Sequence, residues 1–489
     1  MIISLTTTPT PVWDYSAYWD FVVPIGIVFL ILLLSNALRR KVKFIRNSLM
    51  PTAIIGGFIG LGAKYLLTWL FKDVSGFPTA VEANELFNVI TYHTIAIGFI
   101  ALGLKTIVKS KDPNALKGRP IKNGLFIVCN YLMQGILGLA ITIPLAFIFT
   151  ELAPFAGILL PMGYGQGPGQ AFNIGRIFET AGGFIGGTSY GLMISTLGFV
   201  SACVGGVLYL NILAKKGKIK RVVTGDVSEP QEGEVDAADE IPLVESVDKL
   251  TVQIALVGVI YLFTWLVISG VSVLIDNSGI AFLINSIKPL LWGFNFIIAI
   301  FVTMLFKVSI KGLKKTKLMK RTYTNNAMLN RISGVAFDLM IICSIMAIDI
   351  NTLFSGAGLI ISLAIMGVLG AVATFFYDLY VTNRVYKGYS TEAMMVFYGT
   401  MTGTASTGIG LLREVDPEFK TPAANDLVTG TSTAIMFGAP ILIITGIVFL
   451  DGWYYLYGSL AVLIILFAVF HYFLMKEPKA KGEKAAPKK

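Results

Sequence analysis

Two glycine-rich polar segments interrupt otherwise apolar stretches of the sequence and carry the groups best suited to chemistry. The first is PMGYGQGPGQAFNIGRIFE at 161–179, and the second is VFYGTMTGTASTGIGLLRE at 396–414. Glycine and proline disfavour a helix interior by about 1 and about 3 kcal/mol. Non-helical backbone at membrane depth persists only where it is buried in protein or lines a wet cavity. Each segment is therefore predicted to be a re-entrant hairpin whose tip exposes main-chain N–H and C=O groups.

Such tips are suited to binding a small anion together with a cation. Helix N-termini direct N–H groups at a carboxylate, and unwound carbonyls with side-chain hydroxyls supply hard oxygen ligands for Na⁺. The alternative is that both segments are irregular surface loops. We expect the binding groups to come from both tips: Gly165, Gln166, Gly167, Gly169, Gln170 and Asn173 from the first, and Thr402, Gly403, Thr404, Ala405, Ser406 and Thr407 from the second.

Two arginines follow the tips. Arg176 and Arg413 are each candidates to bind a substrate carboxylate, because a guanidinium group can contact both carboxylate oxygens. The alternative is a local pair with Glu179 or Glu414, or an anchor at the membrane interface.

Three polar residues lie inside apolar runs. Asp338, in ISGVAFDLMIICSIMAI, is a candidate to hold Na⁺ or H⁺, because an ionisable group inside a membrane span is a functional candidate. A structural hydrogen-bonding role is the alternative, and Gln134 has the same two interpretations. Lys64 is expected to extend its ammonium group towards a membrane interface.

The elements that position these residues follow from composition. The chain of 489 residues is 55% hydrophobic and only 14% charged, whereas a soluble domain has roughly a quarter charged residues. Segments in lipid must pair their backbone groups internally, so runs long enough to cross a bilayer are helices. The sequence predicts an all-α polytopic membrane protein with spans at about 21–38, 50–71, 86–104, 123–150, 183–213, 250–275, 289–306, 332–350, 354–382, 427–449 and 453–474.

Charge distribution predicts the orientation. The net charge is +10, and most of the 39 Lys and Arg residues fall in alternate loops, such as 39–46, 105–122 and 307–321. This alternation follows the positive-inside rule and argues against nucleic acid as a partner. We expect a multi-pass protein of the cell (inner) membrane with its N-terminus outside and its C-terminus in the cytoplasm. The start lacks a basic segment, which argues against a cleaved signal peptide.

An acidic polar stretch at 222–248 divides the chain and is expected to be a cytoplasmic linker. Aligning Gly167 with Gly403 also aligns Gly163 with Gly399. Each repeat holds five spans, and the eleventh span follows the second repeat as an addition; since five is an odd number, the two repeats should have opposite orientations, as in many secondary transporters. The predicted organisation is a first repeat at 1–221 with a hairpin at about 152–181, a second repeat at 249–450 with a hairpin at about 391–425, an extra helix at 451–475 and a basic tail at 476–489.

Several segments in this order resemble the bacterial sodium/glutamate symporter family, over roughly 20–450. They are IRNSLMPTAIIGGFIG at 45–60, HTIAIGFIALGLK at 93–105, GYGQGPGQAF at 163–172, TLGFVSACVGG at 196–206 and YKGYSTEAMMVFYGTMTGTASTGIG at 386–410. The resemblance implies a scaffold part, a mobile part that contains both hairpins, a homodimer, and Na⁺-coupled glutamate uptake by an elevator-like movement. The sequence departs from the family where typical members have GGHGTG at the first hairpin, because YGQGPG with Gln166 stands there. This change bears on the substrate more than on the class of transport.

The leading hypothesis is therefore Na⁺-coupled glutamate uptake, with Na⁺ as coupling ion and no other cofactor. The alternatives are Na⁺- or H⁺-coupled transport of another small carboxylate or amino acid, and a channel. A channel is less consistent with an inverted repeat that has two unlike tips. No enzyme is expected, because the sequence has no HExxH, no GxSxG and no cluster of His, Cys and carboxylate residues. The three cysteines lie in apolar runs and are interpreted as small hydrophobic residues.

Overall fold

A computed structural model describes residues 16–72, 83–105, 118–219, 249–316 and 324–476. These residues form helices joined by turns, and no β-strand occurs among them. The predicted linker at 222–248 and the tail beyond residue 476 lie outside the described residues. The α-helices are α1 (Ser16–Lys41), α2 (Lys43–Asn47), α3 (Thr52–Leu70), α4 (Asn84–Leu104), α5 (Arg119–Ala146), α6 (Leu159–Tyr164), α7 (Pro168–Thr180), α8 (Gly187–Lys215), α9 (Lys249–Ser278), α10 (Lys288–Gly293), α11 (Asn295–Lys315), α12 (Asn326–Met346), α13 (Ile350–Leu353), α14 (Ala357–Val385), α15 (Ser390–Thr402), α16 (Ala405–Arg413), α17 (Ala423–Ile447) and α18 (Trp453–Met475).

Eleven of the described helices are long and apolar enough to cross a membrane. They coincide with the eleven predicted runs, so the prediction of an all-α multi-pass membrane protein is confirmed. Several helices continue beyond the apolar run. For example, α1 ends in Arg39, Arg40 and Lys41, because cations in a last turn interact favourably with the helix dipole.

The described helices group into two compact units, and each unit takes helices from both halves of the sequence. The first unit contains α1 to α4 and α9 to α12. The second contains α5 to α8 and α14 to α18. Both glycine-rich segments therefore belong to the second unit.

The order of helices repeats along the chain. Gly167 and Gly403 are 236 residues apart, and so are the first residues of α8 and α17, Gly187 and Ala423. Within the same order, α5 corresponds to α14 and α4 to α12. Both halves thus place one broken helix between two long ones, as the aligned glycines predict.

Two lysines bind helix ends in the first unit. Lys64 Nζ donates to the carbonyls of Met346 and Ile348, at 2.6 and 3.0 Å, and to Asn84 Oδ1 at 2.9 Å. The side chain is only 2% exposed, so its ammonium group is bound by protein atoms, and a position at the membrane interface stays a prediction. The end of α12 supplies carbonyls that have no partner in their own helix, and these satisfy the buried ammonium group.

The second lysine has the same kind of partners. Lys307 Nζ donates to the carbonyls of Gly103 and Lys105, at 2.9 and 2.7 Å, at the end of α4. Its side chain is half-buried. Each lysine therefore binds the end of a helix that is distant in sequence.

Candidate functional site

The first glycine-rich segment forms a broken helix. A short 3₁₀ turn (Pro154–Ile158) and α6 lead into Gly165, and α7 begins at Pro168. Gly167 has φ +90° and ψ −176°, a region that side chains disfavour. Pro168 occupies the first helical position, where its missing N–H is not needed. The glycines and the proline thus produce the interruption that the sequence predicts.

The second segment is broken in a similar way. Helix α15 ends at Thr402, and α16 begins at Ala405. Thr404 is the N-cap residue of α16, and its Oγ1 accepts a long hydrogen bond from the Thr407 N–H at 3.4 Å. The hydroxyl of Thr402 is used within its own helix, because it donates to the Tyr398 carbonyl at 2.7 Å.

The two breaks meet inside the second unit. A Cβ atom added to Gly167 would lie 3.9 Å from Thr404 Cγ2 and 4.0 Å from the Gly403 carbonyl oxygen. Helices α7 and α16 both begin at this place, with 13 and nine residues. The first N–H groups of a helix have no carbonyl partner within it. Two helix N-termini therefore converge where an anion such as a carboxylate would be stabilised.

Gln134 of α5 contacts both breaks. Its Nε2 donates to the Met401 carbonyl at 2.9 Å, near the end of α15, and to Thr374 Oγ1 of α14 at 3.0 Å. Its Oε1 would lie 3.1 Å from a Cβ atom at Gly165, in the first break. That oxygen is buried and has no hydrogen-bond partner among the described residues.

Further buried polar atoms without partners lie on α7. They are Gln170 Oε1 and both the oxygen and the nitrogen of the Asn173 side chain. Gln170 and Asn173 are three residues apart, so they lie on one face of the helix. An unsatisfied buried polar group costs about 1–3 kcal/mol. The amide oxygens of Gln134, Gln170 and Asn173 are hard ligands of the kind that Na⁺ takes.

The remaining predicted site residues have varied surroundings. Gly165 and Gly169 are buried, Gln166 is half-buried, and Ala405 and Ser406 are exposed. Arg176 is half-buried on α7, and Glu179 accepts hydrogen bonds from the N–H and the hydroxyl of Thr188.

The last two charged candidates are Arg413 and Asp338. The Arg413 guanidinium lies over the Phe419 ring, 5.6 Å from its centroid, and its Nε is buried without a hydrogen-bond partner in the described part of the chain. Asp338 is exposed on α12 and belongs to the first unit. The structure therefore brings together the two tips and Gln134, and it assigns Asp338 to a different unit.

The sequence analysis did not identify a buried polar pair formed by Asn130 and Asp378. Asp378 of α14 is 0% exposed and accepts a hydrogen bond from Asn130 of α5. Asp378 lies inside the predicted span at 354–382, so the rule that selected Asp338 also applied to it.

The chain matches no protein-family model and no curated protein. The resemblance described above therefore stays a prediction, and the function has to be argued from the site.

Proposed function

We propose that this multi-pass helical membrane protein is a secondary transporter that takes up glutamate, or a related small carboxylate, together with Na⁺. The observation that carries the proposal is the meeting of two broken helices at Gly167 and Thr404. A helix break that ends in an N-terminus offers N–H groups to an anion and carbonyls to a cation. Two such breaks at one place provide both kinds of group without a fixed charge.

The residues then divide into two sets. The N–H groups that open α7 and α16, near Gly169 and Ser406, bind the carboxylate. The amide oxygens of Gln134, Gln170 and Asn173, which lack partners among the described residues, bind Na⁺. A bound cation next to a bound anion lowers the free energy of both, so each ligand raises the affinity for the other.

The same proposal includes the transport movement. The second unit holds both breaks and would carry substrate across the membrane in an elevator-like way, with the two sequence halves in opposite orientations. The repeated helix order supports this arrangement. We further propose a homodimer in the cell membrane, with the N-terminus outside and the C-terminus in the cytoplasm.

A second candidate is transport of another small carboxylate or amino acid, driven by Na⁺ or H⁺. It is favoured by Gln166 at the first tip, because the family that the sequence resembles typically has a histidine at this position. Competition of unlabelled acids against labelled L-glutamate separates the two candidates.

The proposal is tested by uptake of labelled L-glutamate into proteoliposomes, with and without an inward Na⁺ gradient. Uptake that requires the gradient supports Na⁺ coupling. Equal traces under both conditions, with active protein shown by uptake of another carboxylate, would contradict glutamate as the substrate.

A further inference from the structure

Asp378 is a carboxyl group that the second unit encloses completely. It lies within a membrane-spanning helix, α14, and is 0% exposed. Its Oδ1 accepts from Asn130 Nδ2 at 2.8 Å, whereas its Oδ2 is buried without a partner. Asp378 forms no ion pair with any described residue. An ionised carboxylate with a single neutral hydrogen bond is very unfavourable in such a place.

Asn130 also has a buried oxygen that accepts no hydrogen bond from any described residue. Its Nδ2 donates to Asp378 and to the Phe126 carbonyl at 3.2 Å, while its Oδ1 is buried without a donor in the described structure. The pair therefore leaves two acceptor oxygens and no donor. A proton on Asp378 Oδ2 supplies the missing donor, because a carboxylic acid that faces a carboxamide can form two parallel hydrogen bonds. The first of these, from Asn130 to Asp378, is present.

A metal cation fits this place less well than a proton. It would need several oxygen ligands, and the pair offers only Asp378 Oδ2 and Asn130 Oδ1 without partners. A single proton would make Asp378 Oδ2 a donor, and Asn130 Oδ1 is a buried acceptor without a partner in the described part of the chain.

The surrounding titratable groups do not supply a donor either. They are Tyr377 on α14, Tyr386 directly after the end of α14, Tyr398 on α15, Cys129 on α5, Cys203 on α8 beside Tyr398, Asp426 and Arg119 around Tyr386, and His471 of α18 next to Tyr377. The three tyrosine hydroxyls are each hydrogen-bonded to a group other than Asp378. None of the three hydroxyls therefore neutralises Asp378, which leaves a proton on Asp378 itself as the simplest donor for the pair.

The pair adjoins the candidate substrate site. Asn130 and Gln134 are one turn apart on α5, and Thr374 and Asp378 are one turn apart on α14, so the two cross-helix pairs are about 6 Å apart along the helices. Gln134 in turn binds the Met401 carbonyl at the second break. A negative charge on Asp378 would oppose the binding of an anion there.

We propose that Asp378 is a proton-binding site of this protein and that its proton is required for uptake of the carboxylate. The requirement for uptake rests on the transport function proposed above, whereas the proton site itself does not. Loss of the proton would leave a buried, unpaired charge beside the substrate and would stop transport.

Infrared difference spectroscopy tests the proton site without any substrate. The wild-type spectrum minus that of Asp378→Asn should contain the C=O stretching band of a protonated carboxyl at neutral pH, and the band should disappear on alkalinisation. The matched control, Asp451→Asn, changes an exposed carboxylate and should give only a carboxylate band. Absence of a protonated-carboxyl band at neutral pH would overturn the proposal.

Uptake as a function of pH tests the role in transport. Asparagine at position 378 can form both hydrogen bonds with Asn130 that the acid forms and has no proton to lose, so uptake by Asp378→Asn, at whatever level, should not change with pH over this range. Relative to this variant, wild-type uptake should fall by about tenfold per pH unit over the alkaline range in which the infrared band disappears. Parallel pH profiles for wild type and Asp378→Asn would overturn the requirement. A protonated-carboxyl band at neutral pH, together with no glutamate uptake at any pH, would instead contradict the proposed function and leave the proton site standing.

Discussion

Lys64 and Lys307 lie 243 residues apart and make equivalent contacts, each with the half of the chain to which the other lysine belongs. Each donates to two carbonyls at the end of a helix from the other half of the chain, and the two pairs of carbonyls are also 243 residues apart. Exchange of equivalent contacts is expected when two repeats are related by a two-fold axis. This relationship supports the internal repeat independently of the glycine-rich segments.

The first prediction concerns these lysines. Lys64→Met and Lys307→Met should each lower the free energy of unfolding by roughly 2 kcal/mol, because two carbonyls lose a charged donor. The effect should be larger for Lys64, which also binds Asn84. Thermal unfolding in detergent measures the change. Lys311→Met is the control, since Lys311 is exposed on the same helix as Lys307. Identical unfolding of Lys64→Met and this control would contradict the prediction.

The second prediction concerns the first break. Gly167→Ala should strongly reduce uptake, because alanine at φ +90° costs about 1–3 kcal/mol and moves the start of α7 away from Thr404. Gly438→Ala is the matched control, since nothing lies within 4 Å of a Cβ atom there. Both variants are compared by uptake into proteoliposomes at equal amounts of folded protein. Full uptake by Gly167→Ala would show that the break is not needed.

The third prediction concerns Asp426, a buried carboxylate in the second unit. It accepts from Arg119 at 2.9 Å, from Asn123 at 3.0 Å and from Tyr389 at 2.6 Å. Arg119→Gln removes the only ion-pair partner of this side chain among the described residues. We expect a loss of stability on the order of 3 kcal/mol, because a buried charge is left without its counter-charge.

The control for this prediction is an exposed ion pair. Lys420 and Glu418 lie 2.6 Å apart, with side chains that are 75% and 69% exposed. Lys420→Gln should leave the unfolding temperature unchanged, because exposed pairs contribute little. Equal shifts for Arg119→Gln and Lys420→Gln would refute the assigned role of burial.

The fourth prediction concerns the pH dependence of stability. Burial alone would raise the pKa of Asp416, but hydrogen bonds from Thr421 and from the Lys420 N–H hold that pKa below its ordinary value. A carboxyl with a lowered pKa in the folded state stabilises the fold above its unfolded pKa of about 3.9, and the contribution is lost as pH falls. Asp416→Asn should therefore be less stable than wild type at pH 7, and the difference should shrink on acidification. A constant difference in unfolding temperature would contradict this.

The sequence was sufficient to predict the spans and the two breaks, because both depend on local composition. Apolar runs fix where helices cross the membrane, and Gly167 with Pro168 interrupts a helix in any surroundings. The helix ends were less predictable. For example, α5 begins at Arg119, although its apolar run begins at about residue 123, because polar residues can continue a helix outside the membrane.

The partners of polar residues could not be predicted in the same way. Lys64 and Asp338 are both single charges in apolar runs, yet the first is buried against carbonyls and the second is exposed. Asp378 pairs with Asn130, which is 248 residues away. Such contacts depend on which helix faces meet, and hydropathy along one helix does not determine that.

Chemical protection tests whether the two tips form one carboxylate site. Ser406 is exposed at the second tip, and the three native cysteines are buried. The measurement is the rate at which a maleimide labels Ser406→Cys, with and without L-glutamate and Na⁺. The control is Ile185→Cys, because Ile185 is 78% exposed. We expect L-glutamate with Na⁺ to slow labelling of Ser406→Cys and to leave the control unchanged. Equal labelling of Ser406→Cys with and without the ligands, in protein that takes up glutamate, would contradict this expectation.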